Sequence, residues 1–246
     1  EEYAWWEYLK RPLPSYGEFR YLKDNSEMTR AVAFQVNTFR PVSYKNQAIN
    51  EVAILGISSD YEQIRNFRYD QGRYFSSIES YQGNNVVILG FEVARELFQG
   101  RSPLGRRVNV AGFRAYVIGV LQKEGSGLLA GGSMDEVVLV PLNFARRFID
   151  IRREQAGPTI IVRADEGVQL QELTYDTKRI MRSIRRLEPA EKDNFSINQA
   201  SLISRNLDQL FGVINLAGWL IGGFSIIVGG FGIANIMFVS VKERTH

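Results

Sequence analysis

The chain has 246 residues, 45% of them hydrophobic and 23% charged, with a net charge of +3. That balance excludes a disordered chain, and so weak an excess of positive charge does not supply the concentrated basic face that nucleic acid requires. With no cysteine there is no disulfide framework, no thiolate metal site and no cysteine nucleophile.

The chain opens on an aromatic cluster, Tyr3, Trp5, Trp6 and Tyr8. This suits either a membrane interface, after a span upstream of Glu1, or an N-terminal helix packed on the core. Ser15 and Glu18 have capping-box spacing and predict a helix over 16–23. Residues 31–39 and 51–57 are rich in Val, Ile and Phe and read as strands, with the polar stretch 44–50 as the turn between them.

A second block begins near Gly72. Residues 86–89 are a short apolar strand, and 91–98 a helix stopped by Gly100. Residues 106–110 and 114–121 alternate apolar and polar about Ala111-Gly112, the pattern of a hairpin. A small-residue loop, Gly125 to Met134, then exposes Leu128, Leu129 and Met134 as candidate partner-docking residues. A strand over 137–142 and a helix over 143–149 close the block.

The third block reads strand 159–163, helix 168–187 and strand 195–198. Leu170, Leu173, Ile180, Ile184 and Leu187 make one apolar stripe on the helix, with Thr177 in register. Lys178, Arg179, Arg182, Arg185 and Arg186 cover its other faces and read as a solvated surface. The fold class is therefore α+β, with two outer blocks forming one layer and a β-rich block inserted between them.

The mean hydropathy of −0.17 hides a strong asymmetry. From Leu210 to Val241 there is no charged residue. As a helix this run is roughly 48 Å long at about 1.5 Å per residue, whereas a bilayer core of about 30 Å needs only about 20 residues. No polar turn interrupts it, which argues against a buried helical hairpin. Lys242 and Arg244 follow directly and favour a cytoplasmic end, placing residues 1–208 outside. Gly218, Gly222, Ser225, Gly229 and Gly232 lie on one stripe of this helix. Their small-x-x-x-small spacing predicts a close helix–helix seam, with a partner, a second copy or another span of the same protein.

Catalysis finds little support. There is no phosphate loop, so the chain alone does not hydrolyse ATP, and the single histidine, His246, follows the membrane run. The acid pairs Asp135/Glu136 and Asp165/Glu166 read as solvated surface groups. No cofactor and no metal are implied, and a membrane-tethered enzyme is the weakest of the functional classes.

The C-terminal run from Gly229 to Thr245 (GGFGIANIMFVSVKERT) resembles the second membrane helix of MacB/FtsX-type ABC transporter permeases. Residues 85–90, 96–98, 103–108 and 116–120 also follow the pattern of the MacB periplasmic core, and Gly72-Arg73-Tyr74-Phe75 looks like its G-R-x-F element. The resemblance implies a porter-like α+β subdomain from residues 1–70 and 156–208, an inserted β-rich, sabre-like subdomain over 71–155, a transmembrane helix over 209–241 and a cytoplasmic turn from 242. It implies a further span before Glu1 and two after His246. It implies a dimer, an ABC ATPase subunit or domain contacted through Lys242, Glu243 and Arg244, and a bacterial inner membrane. Members of this family transmit ATP-driven motion to the periplasm. Some drive efflux with a periplasmic adaptor and an outer-membrane duct, while others release lipoproteins or regulate peptidoglycan hydrolases. The short segment 201–209 joins the outer domain to the span without a flexible linker.

Overall fold

A computed structural model describes residues 11–125, 133–199, 214–226, 228–233 and 237. The aromatic cluster at Tyr3–Tyr8, Leu128, Leu129, the 201–209 segment and Lys242–Arg244 lie outside these residues.

The chain divides into two units, Glu1–Ile197 and Asn198–His246. The first unit is α+β. Helix α1 (Tyr16–Asn25) starts at the expected capping box: Ser15 Oγ accepts from Glu18 N at 3.2 Å, and Glu18 Oε2 accepts from Ser15 N at 2.6 Å. Strand β1 (Thr29–Tyr44) turns through Lys45-Asn46 into β2 (Gln47–Ile57). The polar stretch 44–50 is therefore not a long turn. Tyr44 pairs with Gln47, and Lys45 takes the left-handed conformation at φ 53° that a two-residue turn uses. The Tyr44 ring stacks on Phe98 at 4.2 Å, so aromatic packing carries the strand past the point where hydrophobicity ends.

Helix α2 (Tyr61–Ile64), strand β3 (Tyr69–Gly72) and helix α3 (Ser77–Gln82) come next. Strand β4 (Val86–Leu89) and helix α4 (Phe91–Phe98) stand where the sequence predicts them. So does the hairpin of β5 (Arg107–Val110) and β6 (Phe113–Leu121), whose turn holds Ala111 and Gly112 at φ 51° and 89°. Strand β7 (Val137–Pro141), short helix α5 (Leu142–Ala145), strand β8 (Thr159–Ala164) and helix α6 (Leu170–Ile184) complete the unit. Residues 195–198, expected as a strand, pair with no strand.

All eight strands belong to one sheet, ordered β2-β7-β4-β6-β5-β1-β8, with β3 on β6. Because β2 also pairs with β1, the ladder from β1 through β2, β7, β4, β6 and β5 closes on itself. Strand β1 serves both blocks: its first half pairs with β8 and its end with β5. The register slips between Arg40 and Val42, about Pro41, which has no N–H to give the ladder. Each face of the closed ladder has its own core. One gathers Phe19, Leu22, Phe34, Leu97, Phe144 and Ile180, and the other Ile57, Tyr61, Phe67, Tyr74, Ile88 and Leu139. Burial of such side chains contributes about 1.5–3 kcal/mol each.

In the second unit, helix α7 (Ile214–Ile233) is long and apolar enough to cross a membrane, with a mean hydropathy of 1.8 and none of its span buried by this chain.

Where β4 enters α4, a Cβ on Gly90 would stand 2.3 Å from Met134 O and 2.4 Å from Asp135 O, both fixed backbone. Gly90→Ala is expected to lower stability by about 1–3 kcal/mol through this overpacking. Thermal unfolding checks it; an unchanged midpoint contradicts the close approach.

Candidate coupling site

The basic stripe of α6 is a solvated face only in part: Lys178, Arg179 and Arg186 are exposed, whereas Arg182 and Arg185 are largely covered. Leu173, Thr177, Ile180 and Met181 pack inward as the periodicity requires. Of the cations opposite them, Lys178, Arg182 and Arg185 grip the segment that leaves the helix, while Arg179 pairs with Asp176 of the same helix. Helix α6 ends with Arg186 at φ 52° and Leu187 N donating to Arg182 O at 3.0 Å, a glycine-type stop made by arginine. The chain then doubles back past its own cations. Lys178 Nζ lies 2.6 Å from Asp193 Oδ2, and Arg182 donates to Asp193 Oδ1 at 2.5 Å. Arg182 also donates to the carbonyls of Glu188, Pro189 and Glu191. Burial alone raises the Asp193 carboxyl, but donation from Lys178 and Arg182 outweighs it and holds the group below its ordinary value.

Arg185 is the centre of the arrangement, with a side chain only 6% exposed. Its Nε donates to Glu18 Oε1 at 2.6 Å. One terminal nitrogen donates to Asn194 O at 2.8 Å and Asn194 Oδ1 at 3.0 Å, and the other to Pro12 O at 3.2 Å. The guanidinium lies 5.7 Å from the centre of the Phe195 ring. Arg11 adds a hydrogen bond to Ser196 Oγ and a long one to Phe195 O. One cation thus ties the segment leading into the domain, at Pro12, to the segment leading out, at Asn194. Arginine side chains, rather than a neighbouring strand, hold the start of the expected strand 195–198, at Asn194 O, Phe195 O and Ser196 Oγ.

Glu18 has two roles. One oxygen caps α1 and the other receives Arg185, so the start of α1 and the end of α6 share one carboxylate. Sequence reading found the cap but not the ion pair, which joins residues far apart in the chain. The run of arginines was the visible signal; its partners Glu18, Asp193 and Asn194 carried none.

The other expected site residues fall differently. Met134 is not an exposed docking residue: it is 6% exposed and lies in the core around Ile88 and Leu139. Asp135, expected as a solvated acid, is buried as well, and its two carboxylate oxygens accept Glu124 N at 2.8 Å and Gly125 N at 2.9 Å. It clips together the two ends of the loop that holds Leu128 and Leu129. Along α7, a Cβ at Gly218, Gly222, Gly229 or Gly232 would meet nothing within 4 Å, and Ser225 Oγ donates only to Ile221 O. Among the described residues, nothing packs on this stripe, and no cluster of acids or histidine is arranged to hold a metal.

Comparison with known proteins agrees with the fold. A sequence family described as MacB-like periplasmic core domain matches residues 6–180. The macrolide export ATP-binding/permease protein MacB of Bdellovibrio bacteriovorus is 28% identical over 83% of this chain, which covers 31% of that protein. The pyoverdine export ATP-binding/permease protein PvdT of Pseudomonas aeruginosa is 25% identical over 78% of this chain and 28% of its own length. The chain therefore spans about a third of the length of these curated relatives. The periplasmic region of MacB from Actinobacillus actinomycetemcomitans superposes with a TM-score of 0.64 at 17% identity, over 80% of this chain and 84% of that one.

Arg185→Met is expected to destabilise the first unit by about 1–3 kcal/mol, because it leaves the Glu18 carboxylate, at a side chain only 12% exposed, without its ionic partner. Adding Glu18→Gln should recover part of that loss, since the stranded charge is then gone. Denaturant unfolding of the two single variants and the double variant checks this; strictly additive losses contradict a direct ion pair.

Proposed function

This chain belongs to the MacB-like periplasmic core domain family, and from that premise we propose that it is the motion-transmitting part of an ABC export permease. The carrying observation is the Arg185 junction, which fastens the incoming segment at Pro12 to the outgoing segment at Asn194. A domain moved by two membrane helices must not yield where they join it. Buried, charge-assisted hydrogen bonds resist such yielding better than a solvated linker does.

In this reading α7 is the second membrane helix, and residues 11–197 lie on the periplasmic side of a bacterial inner membrane. Lys242, Glu243 and Arg244 meet an ABC ATPase, as a separate subunit or a domain of the same protein. ATP binding and hydrolysis there shift the helix ends, and the domain follows as a body. In this reading ATP hydrolysis belongs to that ATPase and this chain is the non-catalytic permease part. Two copies assemble, with the stripe of Gly218, Gly222, Ser225, Gly229 and Gly232 as a sliding seam between helices, which small residues permit. The relatives named for export of macrolide and pyoverdine support efflux as the task. A periplasmic adaptor leading to an outer-membrane duct is the natural partner, and Leu128 and Leu129 are the residues offered to it.

Gly222→Leu combined with Gly229→Leu tests the seam. The pair is expected to leave unfolding of the outer domain and ATP turnover intact. It should abolish the ATP-dependent change in separation between spin labels placed at Tyr81→Cys in the two copies. Retention of that change in the double variant would remove the seam from the account.

A further inference from the structure

Next to the segment that Arg185 holds, the first unit has an open cleft of about 890 Å³, between residues 13–17 and residues 146–152. This is within the range of about 300–1,000 Å³ usual for small-molecule sites. Its walls carry two kinds of chemistry. Tyr16, Phe148 and Ile151 supply apolar surface, and Phe148 is held by ring contacts to Phe144 at 5.6 Å and Phe113 at 5.8 Å. Arg146, Arg147 and Arg152 supply positive charge.

Among the described residues that charge is not neutralised. The Arg146 guanidinium lies 5.6 Å from the centre of the Tyr16 ring and pairs with no carboxylate among the described residues. Arg147 is oriented by neutral acceptors, Asn85 Oδ1 at 2.7 Å and Gly83 O at 3.1 Å. Asp150, the one acid among the lining residues, is ion-paired to Arg153 at 3.2 Å. Arg146 and Arg152 therefore line a cleft whose single acid is already engaged, with Arg147 beside them turned to residues 83–85. Guanidinium groups match carboxylate and phosphate oxygens in a two-point fork, and aromatic walls take a flat or aliphatic body.

We propose that this cleft binds a small organic anion with an aromatic or aliphatic body. The site is argued from its own shape and charge and stands whether or not the export reading holds. A bare inorganic ion uses the arginines and leaves the apolar wall uncovered. A neutral aromatic uses the wall and leaves the arginines unpaired.

The test uses the full chain in nanodiscs of zwitterionic lipid, with empty nanodiscs as the blank. Calorimetry compares 1-naphthyl phosphate with inorganic phosphate and 1-naphthol. The expected result is saturable binding of 1-naphthyl phosphate, about tenfold or more tighter than either comparator and weakened by salt. Arg146→Glu with Arg152→Glu should weaken it about tenfold or more, whereas Arg101→Glu should not change it. Should the double variant fail to fold, Arg152→Gln alone, at an exposed side chain, carries the comparison. No binding, binding unaffected by the cleft variants, or phosphate alone binding as tightly overturns the proposal. Displacement of the probe by anionic lipid in the nanodisc identifies the ligand as a headgroup; persistence of the probe identifies a free anion.

Discussion

A buried guanidinium fastens the two segments by which the chain enters and leaves the outer domain. Arg185 meets the Glu18 carboxylate, two groups of Asn194, the Pro12 carbonyl and the face of Phe195, at a side chain almost closed to water. An exposed ion pair would contribute little to stability, about 0–1 kcal/mol. A buried one is different in kind, because removing either partner leaves a stranded charge. The start of α1, the end of α6 and residues 194–195 meet at this contact. Arg182 and Lys178 extend it along the outgoing segment through Asp193.

The sheet behind this junction gives it something firm to act on. Strand β1 pairs with β8 at one end and β5 at the other, so no seam in the ladder separates residues 71–155 from the flanking chain. Strand β7 adds a second connection by pairing with β2. A ladder closed on itself has fewer free edges at which to shear. Force applied at Pro12 or Asn194 is thus passed to a body with two packed cores. That is the mechanical property a motion-transmitting domain needs.

Much of this was legible in the sequence where the signal was local. The β5–β6 hairpin follows from Ala111-Gly112 between alternating residues, the end of α4 from Gly100, and α1 from Ser15 and Glu18. The failures were non-local. Residues 195–198 look like a strand, but arginine side chains, rather than a neighbouring strand, hold its start. The stretch 44–50 looks like one loop, but only Lys45-Asn46 turns; Tyr44, stacked on Phe98 far along the chain, and residues 47–50 are strand. Met134 and Asp135 look like loop residues beside glycines, yet one completes a core and the other clips a loop by its backbone. Arginine runs show positive charge; they do not show whether water or carboxylate surrounds it. The same blindness applied to the cleft, whose two walls, residues 13–17 and 146–152, lie more than a hundred positions apart.

The central claim is that the incoming and outgoing segments move as one body. Spin labels at Arg20→Cys, on α1, and Lys192→Cys, on the outgoing segment, report this directly by pulsed dipolar spectroscopy. The measurement is made on the full-length permease with its ATPase, without nucleotide, with ATP bound and with a trapped hydrolysis state. The account predicts one narrow distance distribution, unchanged across all three states. A distribution that shifts or broadens on ATP binding would show that the junction itself yields, and would contradict the account.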